Sequence, residues 1–97
     1  MRIIARSTLQ EFWERQPQAE QPLKVWFKIA SAADWSTPDD VKADYRMASF
    51  LEGNRVCFDI VGNKFRLVVR MNYPYRIVYI RFVGTHQEYD AIDASTV

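Results

Sequence analysis

Basic side chains are concentrated in one third of this chain, together with its single histidine. Residues 55–86 hold six basic residues and one acidic residue, a balance of +5, whereas residues 1–54 carry −1 and residues 87–97 carry −3. Guanidinium groups bind phosphate oxygens in a fork, so a basic stretch in a near-neutral chain indicates a polyanionic partner. A solvated, charged sheet face would produce the same charge pattern.

His86 is the candidate for proton transfer, because an imidazole can give or take a proton near neutral pH. RNA can be cut without a metal when its own 2′-OH attacks the neighbouring phosphorus. That reaction needs a base, an acid for the leaving 5′-oxygen, and cations around the extra negative charge. His86 with Arg66 and Lys64 supplies most of this set. A single histidine after a strand is also often a capping or core residue.

Other catalytic classes fit the sequence poorly. One histidine and scattered carboxylates do not provide the three or four convergent ligands of a metal site. No spacing places a serine or cysteine beside a base, and Gly62 and Gly84 do not form a phosphate-binding loop. We therefore expect no cofactor and no metal.

The single cysteine, Cys57, excludes an intramolecular disulfide and is typical of a reducing compartment. No segment has the apolar length of a signal peptide or of a membrane span. We therefore expect a cytoplasmic protein that does not bind a membrane.

The composition predicts one α+β domain covering residues 1–97, with 48% hydrophobic residues available for its core. We expect a short strand at residues 1–5 and a first helix capped by Ser7 with Gln10. A second helix should run from Ala19 or Pro22 to about residue 33, and a short third one from Thr37 to residue 44. The apolar stripes of the first two helices comprise Leu9, Phe12, Trp13, Leu23, Trp26, Phe27, Ala30 and Ala33.

Three antiparallel strands should follow an irregular linker at residues 45–54, whose last three residues turn into the sheet. The predicted strands are residues 55–61, 64–70 and 76–83, with Gly62-Asn63 as a two-residue hairpin link and a turn at 72–75. A short helix is expected near residues 87–93. Alternation with period two assigns nine side chains to the core: Val56, Phe58, Ile60, Phe65, Leu67, Val69, Val78, Ile80 and Phe82.

The opposite sheet face is predicted to bind single-stranded RNA, because arginines contact phosphates and tyrosine rings stack on unpaired bases. The residues that we assign to RNA binding are Arg55, Asn63, Arg70, Tyr79 and Arg81. We call this surface the second face of the sheet.

Two segments carry a resemblance to a known family. Residues 62–69 read Gly-Asn-Lys-Phe-Arg-Leu-Val-Val, and residues 80–90 end in Gly-Thr-His-x-Glu-Tyr-Asp. Both segments resemble the HigB-type toxins of bacterial toxin–antitoxin systems. Residues 35–44 fit the same family, and the likeness spans nearly the whole chain. The resemblance implies a RelE/ParE-like fold, β-α-α-β-β-β-α, with a helical hairpin packed on a mainly antiparallel sheet. It also implies cleavage of mRNA in the ribosomal A site. The resemblance also implies a partner, a helix-turn-helix antitoxin of the HigA type. The toxin would reach operator DNA only through this antitoxin.

The family match places catalytic residues at Lys64, Arg66, His86 and Tyr89. On that basis Arg66 stabilises the phosphate in the transition state, and Lys64 and Arg70 hold the RNA backbone. His86 is the general acid, while Tyr89, Asp90 and Asp59 are all candidates for the general base. Tyr89 would need a lowered pKa for that role, and it can instead simply pack under the sheet.

Two other functions remain open from the sequence. Toxins that inhibit DNA gyrase share this fold without any RNA chemistry, so the fold does not decide between the two activities. A non-toxic RNA-binding module would show the same basic face. His86 and the density of basic residues favour the nuclease.

Overall fold

The computed structural model describes residues 1–97, which form an α+β domain as predicted. The helices and strands are β1 (Arg2–Ile4), α1 (Arg6–Arg15), a short 3-10 helix (Pro17–Ala19), α2 (Glu20–Ala32), α3 (Pro38–Asp44), β2 (Ser49–Leu51), β3 (Arg55–Ile60), β4 (Phe65–Asn72), β5 (Ile77–Thr85) and α4 (His86–Asp90). None of the helices is long and apolar enough to cross a membrane.

The five strands form one sheet in the order β1-β5-β4-β3-β2. Strand β1 runs parallel to β5, and the other three neighbouring pairs are antiparallel. The sheet is therefore mainly antiparallel, as expected. Because β1 pairs with β5, the N-terminal strand lies beside the strand that leads directly into α4.

The helix stripes predicted from the sequence are buried. In α1 the buried residues are Leu9, Phe12 and Trp13. In α2 they are Leu23, Trp26 and Ala30, with Phe27 and Ala33 partly buried beside them. These residues pack against one face of the sheet. Most core aromatic pairs meet edge to face, as between Phe12 and Phe65, whose centroids are 5.2 Å apart, whereas Trp35 and Phe58 are stacked.

The expected start of α1 is wrong, whereas that of α3 is confirmed. Helix α1 begins at Arg6 after Ala5, with no capping side chain. Ser7 already has helical geometry, and a residue inside the helix cannot act as its N-cap. At α3, Thr37 accepts a hydrogen bond from the Asp40 N–H, and Pro38 occupies the first turn.

Two predicted boundaries around the sheet are also wrong. The linker at 45–54 contains an edge strand, β2, which pairs with β3 across the turn at 52–54. Its three residues are too few to show an alternating pattern. The β3–β4 connection is a four-residue turn, 61–64, in which Val61 and Gly62 have positive φ. Lys64 therefore lies in the turn and not in the strand.

Phe82 lies on the opposite face from the one predicted. The pairing between β4 and β5 shifts, so that Val68 faces Phe82 but Val69 faces Ile80. Arg81 is the extra residue of this β-bulge, which reverses the alternation after it. As a result Phe82 packs on the second face, and Val83 packs against the core in its place.

Candidate functional site

The turn at 61–64 and the start of α4 meet at one end of the sheet. The main-chain N–H of His86 donates to the carbonyl oxygen of Lys64, at 3.2 Å. Phe65 pairs with Thr85 in the adjoining strands, which fixes this junction. All four predicted catalytic residues lie here, together with Asn63 and the two carboxylates that are candidates for the general base. We call this set the His86 cluster: Asp59, Asn63, Lys64, Arg66, His86, Tyr89 and Asp90.

Arg66 is the least exposed charged residue of the His86 cluster, with 12% of its side chain accessible. Its Nη1 lies 3.2 Å from Oδ1 of Asp59, and its Nη2 donates to Oδ1 of Asn63 at 3.3 Å. The Nη1 atom is buried and has no hydrogen-bond partner of good geometry, although it is close to the carboxylate. Arg66 is thus held by Asp59 and Asn63, and Nη1 faces the Asp59 carboxylate and not the solvent.

His86 is the first residue of α4 and its side chain is about half exposed. Its Nδ1 lies 3.1 Å from Oδ2 of Asp90, one helical turn further on. A carboxylate on one ring nitrogen fixes the orientation of an imidazole and leaves the other nitrogen for chemistry. The sequence separation of four residues is therefore the structural reason that Asp90 can orient His86.

Tyr89 packs against the end of the sheet, and its surroundings favour the protonated phenol. Burial raises the pKa of Tyr89, and the neighbouring Cys57 thiol raises it further. The central carbon of the Arg66 guanidinium lies 5.8 Å from the centroid of the Tyr89 ring. A phenol with a raised pKa remains protonated near neutral pH, so the position of Tyr89 suits support of Arg66 better than proton abstraction.

Lys64 is exposed and its ammonium contacts Gln18, in the 3-10 helix between α1 and α2. The same ammonium lies 5.8 Å from the centroid of the Phe65 ring. Lys64 therefore contributes a positive charge at the edge of the His86 cluster, toward the helical layer.

The remaining predicted RNA-binding residues do not lie in this cluster. Arg55, Arg70 and Tyr79 occupy one row across β3, β4 and β5. This row is four residues from Arg66 along β4, or roughly 13 Å at the usual rise of a strand. Arg81 lies at the bulge between the two groups. The second face therefore carries two separate basic groups.

The C-terminal segment, residues 91–97, covers the middle of the second face. Ala94 is buried against Cys57 and Val68, which separate the two basic groups. The main-chain oxygen of Val97 accepts from Nη2 of Arg55, at 2.7 Å, and from Nε of Arg81, at 3.2 Å. The expectation of one open basic face is wrong, because the C-terminal segment packs on the apolar middle of that face.

Arg76, which contributes to the basic count, lies away from both groups. Its Nε is 2.5 Å from Oδ1 of Asp34, in the loop before α3. The basic excess of residues 55–86 is therefore distributed over more than one surface.

Sequence reasoning missed the residues that hold α4. Thr85 Oγ1 accepts from the Glu88 N–H, and the Glu88 carboxylate accepts from the Thr85 N–H, which is a complete capping box. Arg15 of α1 contacts the same carboxylate at 3.2 Å. The Thr-x-x-Glu spacing is a visible signal for the cap. Nothing in the sequence points to Arg15, which is 73 residues away.

The ionisable residues do not converge as metal ligands do. No group of three or more histidine, cysteine, aspartate or glutamate side chains is placed to hold a metal ion. Cys57 is buried, and burial raises the pKa of its thiol. A protonated thiol is a poor nucleophile.

Comparison with known proteins identifies the family. Residues 19–92 match the model of the HigB toxin family, described as the RelE-like toxic component of a toxin–antitoxin system. The chain is similar to the mRNA interferase toxin HigB of Escherichia coli K12, with 28% identity over 97% of this chain and 92% of the relative. It is also similar to the mRNA interferase HigB of Escherichia coli O6:H1, with 22% identity over 95% and 91% of the two chains. The family match covers most of the chain, so this protein belongs to the HigB toxin family.

Proposed function

We propose that this toxin is a metal-independent endoribonuclease that cuts mRNA in the ribosomal A site. The observation that carries the proposal is the His86 cluster, in which an oriented imidazole and a partly buried arginine occupy the same sheet end. Relatives of similar length are named mRNA interferases.

In the proposed reaction the 2′-oxygen of the message attacks the adjacent phosphorus, and the bond to the 5′-oxygen of the next nucleotide breaks. His86 donates a proton to this leaving oxygen. Arg66 stabilises the added negative charge on the phosphate, while Lys64 and Arg70 hold the flanking backbone. The products are a 2′,3′-cyclic phosphate end and a free 5′-OH end.

The general base is one of the two carboxylates of the His86 cluster. Asp90 contacts His86 and Asp59 contacts Arg66, so each lies beside a proposed catalytic side chain. Tyr89 is the third candidate from the sequence, and its raised pKa makes it the weakest of the three. Separate Asp59→Asn and Asp90→Asn variants assign the role, because loss of the base removes the limb of the pH–rate profile that reports its ionisation.

The ribosome is the proposed partner that presents the message. His86, Lys64 and Asp90 are all exposed at this end of the sheet, so a ribosome-bound message can approach them directly. The exposed side chains of Lys64 and Arg70 can hold the backbone beside the cut. An antitoxin of the helix-turn-helix type is the proposed neutralising partner, and the toxin reaches operator DNA only through it.

The experiment is a translation reaction with a defined message and mapped 5′ ends. Wild-type protein should cut within codons only when ribosomes are present, and His86→Gln and Arg66→Ala should cut at least about 100-fold more slowly. Lys28→Gln is the matched control, since Lys28 is an exposed cation on α2 that forms no ion pair. Intact message together with double-strand breaks in DNA would instead identify a gyrase inhibitor. Intact message and normal growth on induction would indicate a non-toxic RNA-binding module.

A further inference from the structure

The segment Gly84-Thr85-His86-x-Glu88 has a structural purpose beyond supplying the histidine. The Thr85 N–H donates to Oε1 of Glu88 at 2.8 Å, and the Glu88 N–H donates to Oγ1 of Thr85 at 3.1 Å. His86 lies between the two residues of this capping box. The capping box therefore holds the first turn of α4, which carries the imidazole, at the end of β5.

Gly84 provides the space that this arrangement needs. A Cβ atom at Gly84 would come within 2.5 Å of Cζ of Phe82 and 3.1 Å of Oε1 of Glu88. The first distance is a clash with a ring packed on the second face. Any other residue at this position would therefore displace either the ring or the capping carboxylate.

Arg15 connects this carboxylate to the helical layer. Its Nη2 donates to both oxygens of Glu88, at 3.3 and 3.2 Å. Its guanidinium also lies over the ring of Phe12, 4.7 Å from the centroid, and that ring packs edge to face on Phe65. A continuous set of contacts thus leads from the core, through Arg15, to the residue that caps α4.

We propose that Arg15 and Glu88 are positioning residues that fix α4 and thereby hold His86 in place for the RNA phosphate, at the sheet end where Arg66 lies. This inference rests on the proposed ribonuclease function. Neither residue touches the reacting atoms. Arg15 acts through Glu88, and Glu88 acts through the turn that carries His86.

The Arg15–Glu88 ion pair does not act by stabilising the whole fold. The side chains are 53% and 42% exposed, and ion pairs at such exposure contribute little to the free energy of unfolding. The contact instead joins α1 to α4 through two residues that are 73 positions apart in the sequence. It lies beside the turn that carries the proposed catalytic histidine. Small displacements of a catalytic group slow reactions far more than they destabilise a fold.

The test is a double-mutant cycle with Arg15→Gln, Glu88→Gln and the double variant. Glutamine at 88 keeps an oxygen for the capping box and loses only the ion pair. Lys28→Gln and Glu11→Gln are the matched controls, each removing one exposed charge from the helical layer. We measure the cleavage rate at saturating toxin and, separately, the toxin concentration that gives half of that rate.

We expect each single variant to lower the saturated rate about tenfold with an unchanged half-saturating concentration. The double variant should be no slower than either single one, since both remove the same contact. Rates equal to those of the controls would overturn the inference. Additive losses, or a loss confined to the half-saturating concentration, would also overturn it, because Arg15 would then act on RNA independently.

A second measurement does not depend on cleavage. His86 is the only histidine, so its ring signals in an NMR spectrum are unambiguous. Arg15→Gln and Glu88→Gln should shift those signals and broaden them, while the controls should not. If wild-type protein cuts no message, the proposed function fails and the His86 signals alone decide the positioning role. Unchanged signals would reject it.

Discussion

The guanidinium of Arg66 lies over the ring of Tyr89, with 5.8 Å between its central carbon and the ring centroid. This contact joins β4 to α4, the helix that begins with the only histidine of the chain. The ring covers a charged side chain that is only 12% exposed near the start of β4, the middle strand of the sheet. Arg66 also lies 3.2 Å from Asp59, so contacts within the protein hold its side chain in place.

Arg66 should be irreplaceable by lysine. Lysine keeps the charge but loses the planar fork that contacts Asn63 and stacks on Tyr89. We expect Arg66→Lys to slow message cleavage about 100-fold, and Arg66→Ala to do so by about 100- to 1000-fold. Arg46→Lys, at an exposed arginine after α3, is the control. Full activity of Arg66→Lys in the translation assay would show that charge alone suffices.

Tyr89 should be replaceable by phenylalanine. Burial raises the pKa of Tyr89, so the hydroxyl is protonated throughout the neutral range and cannot accept a proton from the 2′-OH. The ring, which packs against Arg66 and Phe82, is retained in Tyr89→Phe. We expect at least about half of the wild-type rate and an unchanged pH–rate profile between about pH 6 and 9. Loss of the ascending limb, in which the rate rises with pH as the base loses its proton, would identify Tyr89 as the base after all.

The cap of α4 should be sensitive to acid. The Thr85 main-chain N–H, followed by Arg15, holds the pKa of Glu88 below its usual value. A depressed folded-state pKa means that the stabilisation is complete above the ordinary glutamate pKa and is lost as pH falls through the depressed one. The Thr85 amide signal should therefore move with an acid midpoint below that of a free glutamate. The transition should vanish in Glu88→Gln and persist in Glu11→Gln.

Phe58 should be one of the most costly residues to truncate. It is 1% exposed, and its ring contacts the rings of Trp26, Trp35 and Tyr45. We expect Phe58→Ala to lower the free energy of unfolding by about 3–5 kcal/mol, through lost burial and the cavity that remains. Denaturant unfolding measures this change. Phe50, which is 37% exposed on β2, is the matched control, and an equal loss in Phe50→Ala would contradict the core assignment.

The C-terminal segment should protect Cys57 from alkylation. Ala94 covers the thiol, and burial raises its pKa, so the reactive thiolate is scarce. Ala94→Arg forces a charge into this contact and should raise the rate of Cys57 alkylation about tenfold or more. Ala91→Arg, at an exposed position of the same segment, should leave the rate unchanged. Equal rates in all three proteins would show that the segment does not shield the thiol.

Local pattern determined a large part of this fold. The stripes on α1 and α2, the Thr37–Pro38 start of α3 and the first eight of the nine predicted core positions depend on spacing within one element, which sequence displays directly. The family resemblance, carried by residues around Lys64 and His86, is confirmed by the family match. The site roles stay predictions, although Lys64, Arg66, His86 and Tyr89 do lie at one sheet end.

Tertiary structure decided what depends on contacts between distant elements. The bulge at Arg81 moves Phe82 to the second face, and no residue near it signals the shift. The C-terminal segment covers the middle of that face because Cys57, Val68 and Phe82 make it apolar there. Arg15 contacts Glu88 only because β5 places α4 beside the end of α1. A sequence specifies which side chains can pair, but the distance between them is set by the fold that joins them.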